Sequence, residues 1–150
     1  MPIYNKILAV LDLTADSPRV ASRARDVTQA CPGAQLTLLH VVEYVPVEPL
    51  SDSLLPAVQI EAELIERART RLGQVAATLC TPAPAWQVTA GNVKGEIMRH
   101  AREGGFDLIV IGSHERHGLS ILVNLTEDTV LHAAPCDVLA VRLSPAQVAT

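Results

Sequence analysis

Two hydrophobic rhythms alternate along the chain. Short runs that are apolar at nearly every position are separated by longer stretches in which apolar residues return at every third or fourth place. A strand buried on both faces of a parallel sheet produces the first rhythm, and an amphipathic helix the second. Lys6-Ile7-Leu8-Ala9-Val10-Leu11 predicts strand one, which ends in Asp12-Leu13-Thr14. Asp16-Ser17-Pro18 then places a capping residue ahead of a proline suited to a first helical turn, and Val20, Ala21, Ala24, Val27 and Ala30 keep helical spacing as far as Pro32-Gly33. Gln35 to Val42 reads as a second strand, and Tyr44 to Pro56, with three prolines, as a long irregular connection.

From Ala57 to about Leu79, the residues Ile60, Leu64, Ala68, Leu72, Val75 and Leu79 mark one apolar helical face, with Glu and Arg directed outward. Pro82 and Pro84 end that helix before the alternating run Ala85-Trp86-Gln87-Val88-Thr89, an outer strand followed by a turn at Gly91-Asn92. Lys94 to Arg102 carries Ile97, Met98 and Ala101 on one side, and Gly104-Gly105 stops it before strand four, Phe106 to Gly112. Thr126 to Ala134 predicts a short helix ended by Pro135, and Asp137 to Leu143 a fifth strand.

Strands alternating with helices at this spacing predict an α/β fold: a five-stranded doubly wound parallel sheet, order 3-2-1-4-5, with helices on both faces and right-handed crossovers. In that order strands one and four are neighbours and the winding reverses between them, which opens a crevice at their carboxyl ends. The loops beginning at Asp12 and Gly112 flank this crevice. A chain of 150 residues fits one domain, assigned to 1–143, with a C-terminal tail over 144–150.

Composition narrows the function classes. Hydrophobic residues at 49% and charged residues at 19% are the proportions of a packed globular chain, and aromatics at 3% leave the core to aliphatic side chains. A net charge of -4 provides no basic footprint for nucleic acid, and no apolar run approaches the roughly 20 residues of a membrane helix. A soluble, cytoplasmic protein is expected. Cys31, Cys80 and Cys136 are odd in number and lie outside any CxxC spacing, so they read as three buried, reduced thiols.

Several chemistries lack their residues. Neither G-x-x-x-x-G-K-[ST] nor G-x-G-x-x-G is present. Ser113 stands on a strand-to-loop turn, yet a nucleophile elbow would need glycines where the chain has Ile111 and Glu115. His114 and His117 have no further ligand at a metal-site spacing and read as solvated polar residues, so no metal is expected.

Ile7 to Thr14, Leu38-Leu39-His40-Val41, Ile111-Gly112-Ser113-His114 and Ala134-Pro135-Cys136-Asp137-Val138-Leu139-Ala140-Val141 together resemble the universal stress protein family. The resemblance spans nearly the whole chain and is most specific over 107–142. Nucleotide-binding members carry the pattern G-x2-G-x9-G-[ST], whose glycines let the backbone approach phosphate oxygens. Here Gly112 matches the first glycine and Thr126 the final hydroxyl, while Glu115 and Leu125 replace the second and third. Facing a phosphate, the Glu115 carboxylate would be repelled by at most about 4 kcal/mol at an effective dielectric near 20. Leu125 adds a Cβ where the backbone would touch the terminal phosphate. Asn124-Leu125-Thr126-Glu127 has the spacing of a capping box, and Glu127 and Asp128 put negative charge on the positive end of the following helix.

The resemblance implies an adenine-nucleotide pocket of Asp12, Val41, Gly112, Ser113, His114 and Thr126, in which Asp12 contacts the nucleotide and the Val41 backbone pairs with adenine. An aspartate at a strand end is also ordinary turn chemistry, and Val41 is equally explained as core. The implied function is a homodimeric stress-response binding protein that takes ATP or another adenine nucleotide weakly or in part. The alternative is a dimeric interaction protein of the same fold that binds no nucleotide. Catalysis is not expected beyond very slow ATP hydrolysis. Strand five, Asp137 to Leu143, would lie at a sheet edge, and the resemblance implies that it pairs with its twin across a two-fold axis.

Overall fold

The computed structural model describes residues 3–43, 54–114, 130 and 133–143. In chain order these form β1 (Lys6–Val10), α1 (Ser17–Ala30), β2 (Gln35–Glu43), α2 (Leu54–Leu79), β3 (Ala85–Gly91), α3 (Val93–Glu103), β4 (Leu108–His114) and β5 (Asp137–Leu143). The strands lie in the expected order β3-β2-β1-β4-β5, with every neighbouring pair parallel.

The continuously apolar runs are explained by a core on each face of the sheet. Because successive side chains point to opposite faces, Ile7, Ala9, Leu36 and Leu38 meet Val20 and Ala24 of α1 and Leu72 of α2, whereas Leu8, Leu39 and Ile109 meet Ile97, Met98 and Ala101 of α3. Val130 joins this second cluster. Each fully buried Leu or Ile contributes roughly 1.5–3 kcal/mol relative to an exposed one. With α1 and α2 on one face and α3 on the other, the winding reverses between β1 and β4. At the amino edge the Asp107 carboxylate accepts the backbone N–H groups of Asn5 at 2.8 Å and Lys6 at 3.1 Å, which aligns β1 with β4.

Several boundaries and burials differ from the sequence expectation. The α2 helix begins at Leu54 rather than Ala57, with Pro56 in the first turn, where its missing N–H leaves no helical bond unmade. Its 26 residues span about 39 Å, more than the nine of β2, so the apolar stripe outruns the sheet. Accordingly Ile60 and Leu64 are 57% and 46% exposed, and burial begins in earnest at Ala68. Phe106 is not part of β4. Its N–H bonds to Ala101 O at 3.0 Å and closes the end of α3, with Gly105 supplying the left-handed residue at φ +67°.

The last predicted helix is described only at Val130 and Ala133, both helical, with Ala134 N–H donating to Val130 O at 2.9 Å. The irregular connection over 44–53 and the tail over 144–150 lie outside the described residues. All three thiols are free, but Cys80 and Cys136 are half-buried where full burial was expected. Both sit in the bends that precede β3 and β5. Among the described residues no helix is long and apolar enough to cross a membrane.

One charged cluster fixes α3 to β3. Glu96 accepts Arg99 Nε at 2.8 Å and Nη2 at 2.9 Å, and the Thr89 hydroxyl at 2.6 Å. The Arg99 bonds first, and the Thr89 bond second, hold the Glu96 carboxyl down at about 2, against 4.5 for an unperturbed one. A carboxyl depressed by folding stabilises the protein above its unfolded value and loses that contribution as pH falls toward its folded value. Urea midpoints of wild type and Glu96→Gln should therefore differ at neutral pH and converge as pH falls from 4.5 to about 2. A gap that stays constant across this window would remove the ionised carboxylate from the account.

Candidate functional site

The register of the central strands gathers three predicted residues at one level. Val10 of β1 pairs with Leu39 of β2 and with Ile111 of β4. Two residues beyond these positions stand Asp12, Val41 and Ser113, at the carboxyl ends where the winding reverses.

Asp12 organises the loop that follows β1. Its Oδ1 accepts the Thr14 N–H at 3.1 Å, the Thr14 hydroxyl at 2.7 Å and the Ser17 hydroxyl at 3.0 Å. Ser17 is only 2% exposed, so this last bond satisfies a buried hydroxyl at the start of α1. Asp16, expected to cap α1, makes no side-chain cap bond, because its backbone is already helical and the loop is closed from Asp12 instead. Leu13, next to Asp12, adopts φ +60° although it is not glycine. Its side chain is buried in the core shared by α1 and α2. Its carbonyl accepts Arg71 Nη2 from α2 at 2.5 Å, and the Leu11 carbonyl accepts His40 Nδ1 from β2 at 2.7 Å. Since a carbonyl can only accept, the proton of that imidazole sits on Nδ1.

The other predicted residues divide. The Val41 side chain is buried beside Leu8, Leu39 and Ile97, so it is core and leaves only its backbone to the crevice. Gly112 lies within β4, and a Cβ there would stand 2.6 Å from Leu143 Cδ1 and 3.1 Å from Val20 Cγ2. Close packing of β5 and α1 thus requires the glycine, whatever else it does. Ser113 is half-buried opposite Arg142 of β5, and His114 closes β4 opposite Leu143. The His114 side chain, Glu115, His117, Asn124, Leu125, Thr126, Glu127 and Asp128 lie outside the described residues. No group of three or more potential metal ligands occurs among the described residues.

Sequence reasoning named Asp12 but missed Ser17, His40 and Arg71 as the groups that shape its loop. His40 lay within the quoted strand-two motif. Arg71 carried no signal, being one of several arginines on the outer side of a helix.

Comparison with known proteins agrees with this architecture. The sequence profile of the universal stress protein family matches residues 3–142. Universal stress protein A homolog 2 of Coxiella burnetii is 38% identical over 144 residues, which is 95% of this chain and 98% of that protein. The solved universal stress protein UspA of Lactobacillus plantarum has a TM-score of 0.71 and 26% identity, covering 93% of this chain and 98% of its own. A universal stress protein solved in complex with cAMP shares the fold at a TM-score of 0.58 and 17% identity, covering 93% and 97%. Matched from β1 to β5 in sequence and sharing the strand order that reverses between β1 and β4, the chain belongs to the universal stress protein family.

Proposed function

We propose that this protein is a cytoplasmic stress-response binding protein that acts as a homodimer and holds the adenosine part of an adenine nucleotide at the carboxyl ends of β1, β2 and β4, gaining little from a triphosphate. The observation that carries this reading is the common level of Asp12, Val41 and Ser113 at the point where the winding reverses. In it Asp12, the Val41 backbone, Gly112, Ser113, His114 and Thr126 line the pocket. Family membership supports the stress-response role, and the relative solved with cAMP supports an adenine ligand. Glu115 and Leu125 in place of glycines limit the phosphate half. No catalytic role is assigned. β5 stands at the end of the sheet with Ala140 and Arg142 exposed, an edge suited to pairing with a second copy.

A second reading, a dimeric interaction protein without nucleotide, is favoured by one observation: the motif residues Gly112 and Asp12 both have structural duties of their own. Amide spectra recorded with added adenosine separate the two. Saturable shifts at Asp12, Val41, Val42 and Ser113 are expected, and a spectrum that does not respond would leave the interaction protein.

A further inference from the structure

We infer that His40 and Arg71 are positioning residues of this crevice: each holds one of the two carbonyls that flank Asp12, and together they set where its carboxylate stands. The bonds come from separate elements, His40 Nδ1 of β2 to Leu11 O at 2.7 Å and Arg71 Nη2 of α2 to Leu13 O at 2.5 Å. Between these carbonyls stands Asp12, whose Oδ1 accepts bonds from Thr14 and Ser17 further along the same loop. The loop's anchor in the core is the buried Leu13 side chain. Beside that anchor a cleft of about 230 Å³ lies between the loop and α2, and Arg71 lines it together with Thr14, Pro18, Gln74 and Thr78.

The left-handed Leu13 is the second observation. Such a conformation is strained for a non-glycine residue and persists only where the surroundings over-determine it. Here the buried side chain fixes one side of the residue and the Arg71 guanidinium fixes its carbonyl. Arg71 is exposed, so its loss would leave the core intact and free the loop alone. His40 fixes the strand from which the loop departs, extending the contact already made by Leu11 N–H with Leu39 O at 2.8 Å. Positioning of a nucleotide by this loop rests on the adenosine reading above, whereas positioning of Asp12 does not.

Two readouts on the full chain keep these apart: amide hydrogen exchange and adenosine titration. In Arg71→Ala and in His40→Leu, exchange of the Thr14 amide should accelerate about tenfold with Val110 unchanged, and adenosine affinity should fall roughly five- to tenfold, as expected for the loss of one hydrogen bond. Arg71→Lys and His40→Asn, which keep a donor near the same place, should restore both to within about twofold of wild type. The surface variant at Arg71 keeps the test open should His40→Leu fold poorly. Unchanged Thr14 exchange in Arg71→Ala overturns the inference, as does failure of Arg71→Lys to restore it. Faster exchange in a protein whose wild type binds no adenosine would uphold the positioning of Asp12 and defeat the adenosine reading alone.

Discussion

Replacing Glu115 and Leu125 together by glycine should raise the affinity for Mg-ATP on the order of a hundredfold while moving that for adenosine by less than about threefold. The upper bound comes from charge. A carboxylate about 4 Å from a phosphate oxygen is repelled by about 4 kcal/mol at an effective dielectric of 20, which corresponds to roughly a thousandfold in binding. Solvation of Glu115 and ionic screening reduce that figure. At position 125 the second replacement removes a Cβ from the expected path of the terminal phosphate and permits a positive φ. Recovery should stay incomplete, because the two replacements leave untouched the acidic Glu127 and Asp128 and the capping-box spacing of Asn124 and Glu127 that the sequence predicts for the next helix. Glu115→Gly alone should show its gain mainly at low salt. If calorimetry finds no gain in the double variant, the replaced glycines are not what limits the triphosphate.

Gly112→Ala is expected to destabilise the fold by about 1–3 kcal/mol, the usual range for overpacking a filled core. The new methyl group would stand 2.6 Å from Leu143 Cδ1 and 3.1 Å from Val20 Cγ2, so the buried Leu143 or Val20 side chain must shift. Shortening the first obstacle should relieve the clash: Leu143→Val in the Gly112→Ala background should recover part of the loss, although it is destabilising by itself. A denaturant double-mutant cycle measures that coupling. Wild-type stability in Gly112→Ala, combined with weaker nucleotide binding, would assign the glycine to the ligand instead of to packing.

Gly112 illustrates where sequence reading stops. In the linear motif it is a phosphate glycine, and only the three-dimensional neighbourhood reveals the leucine and valine that need its missing side chain. The sheet itself was legible, because runs such as Leu108-Ile109-Val110-Ile111 are apolar at every position only when both faces are covered. Alternation of strands and helices pointed to a doubly wound sheet, and 3-2-1-4-5 is the one of its possible orders that the strands adopt. Periodicity failed at the far end of α2, where Ile60 and Leu64 keep the helical stripe beyond the strands that would bury it. It also failed at Phe106, an apolar residue that closes a helix instead of starting a strand.

The candidate site was legible as positions and not as roles. Val41 and Ser113 lie two residues beyond Leu39 and Ile111 in their strands, and Asp12 two residues beyond the last paired residue of β1, so all three stand at the carboxyl ends where the winding reverses. The part Asp12 plays as loop organiser was foreseen only as generic turn chemistry. Its partner Ser17 looked like part of a helix start, and the guanidinium of Arg71 reaches a carbonyl 58 residues away in sequence, a contact no local pattern encodes.

The most direct test is calorimetric titration of the native, nucleotide-free protein with adenosine and, separately, with Mg-ATP. Adenosine should bind, and Mg-ATP should bind no more than about threefold more tightly. Mg-ATP binding on the order of a hundredfold tighter than adenosine, or silence from both ligands, would contradict the half-retained pocket.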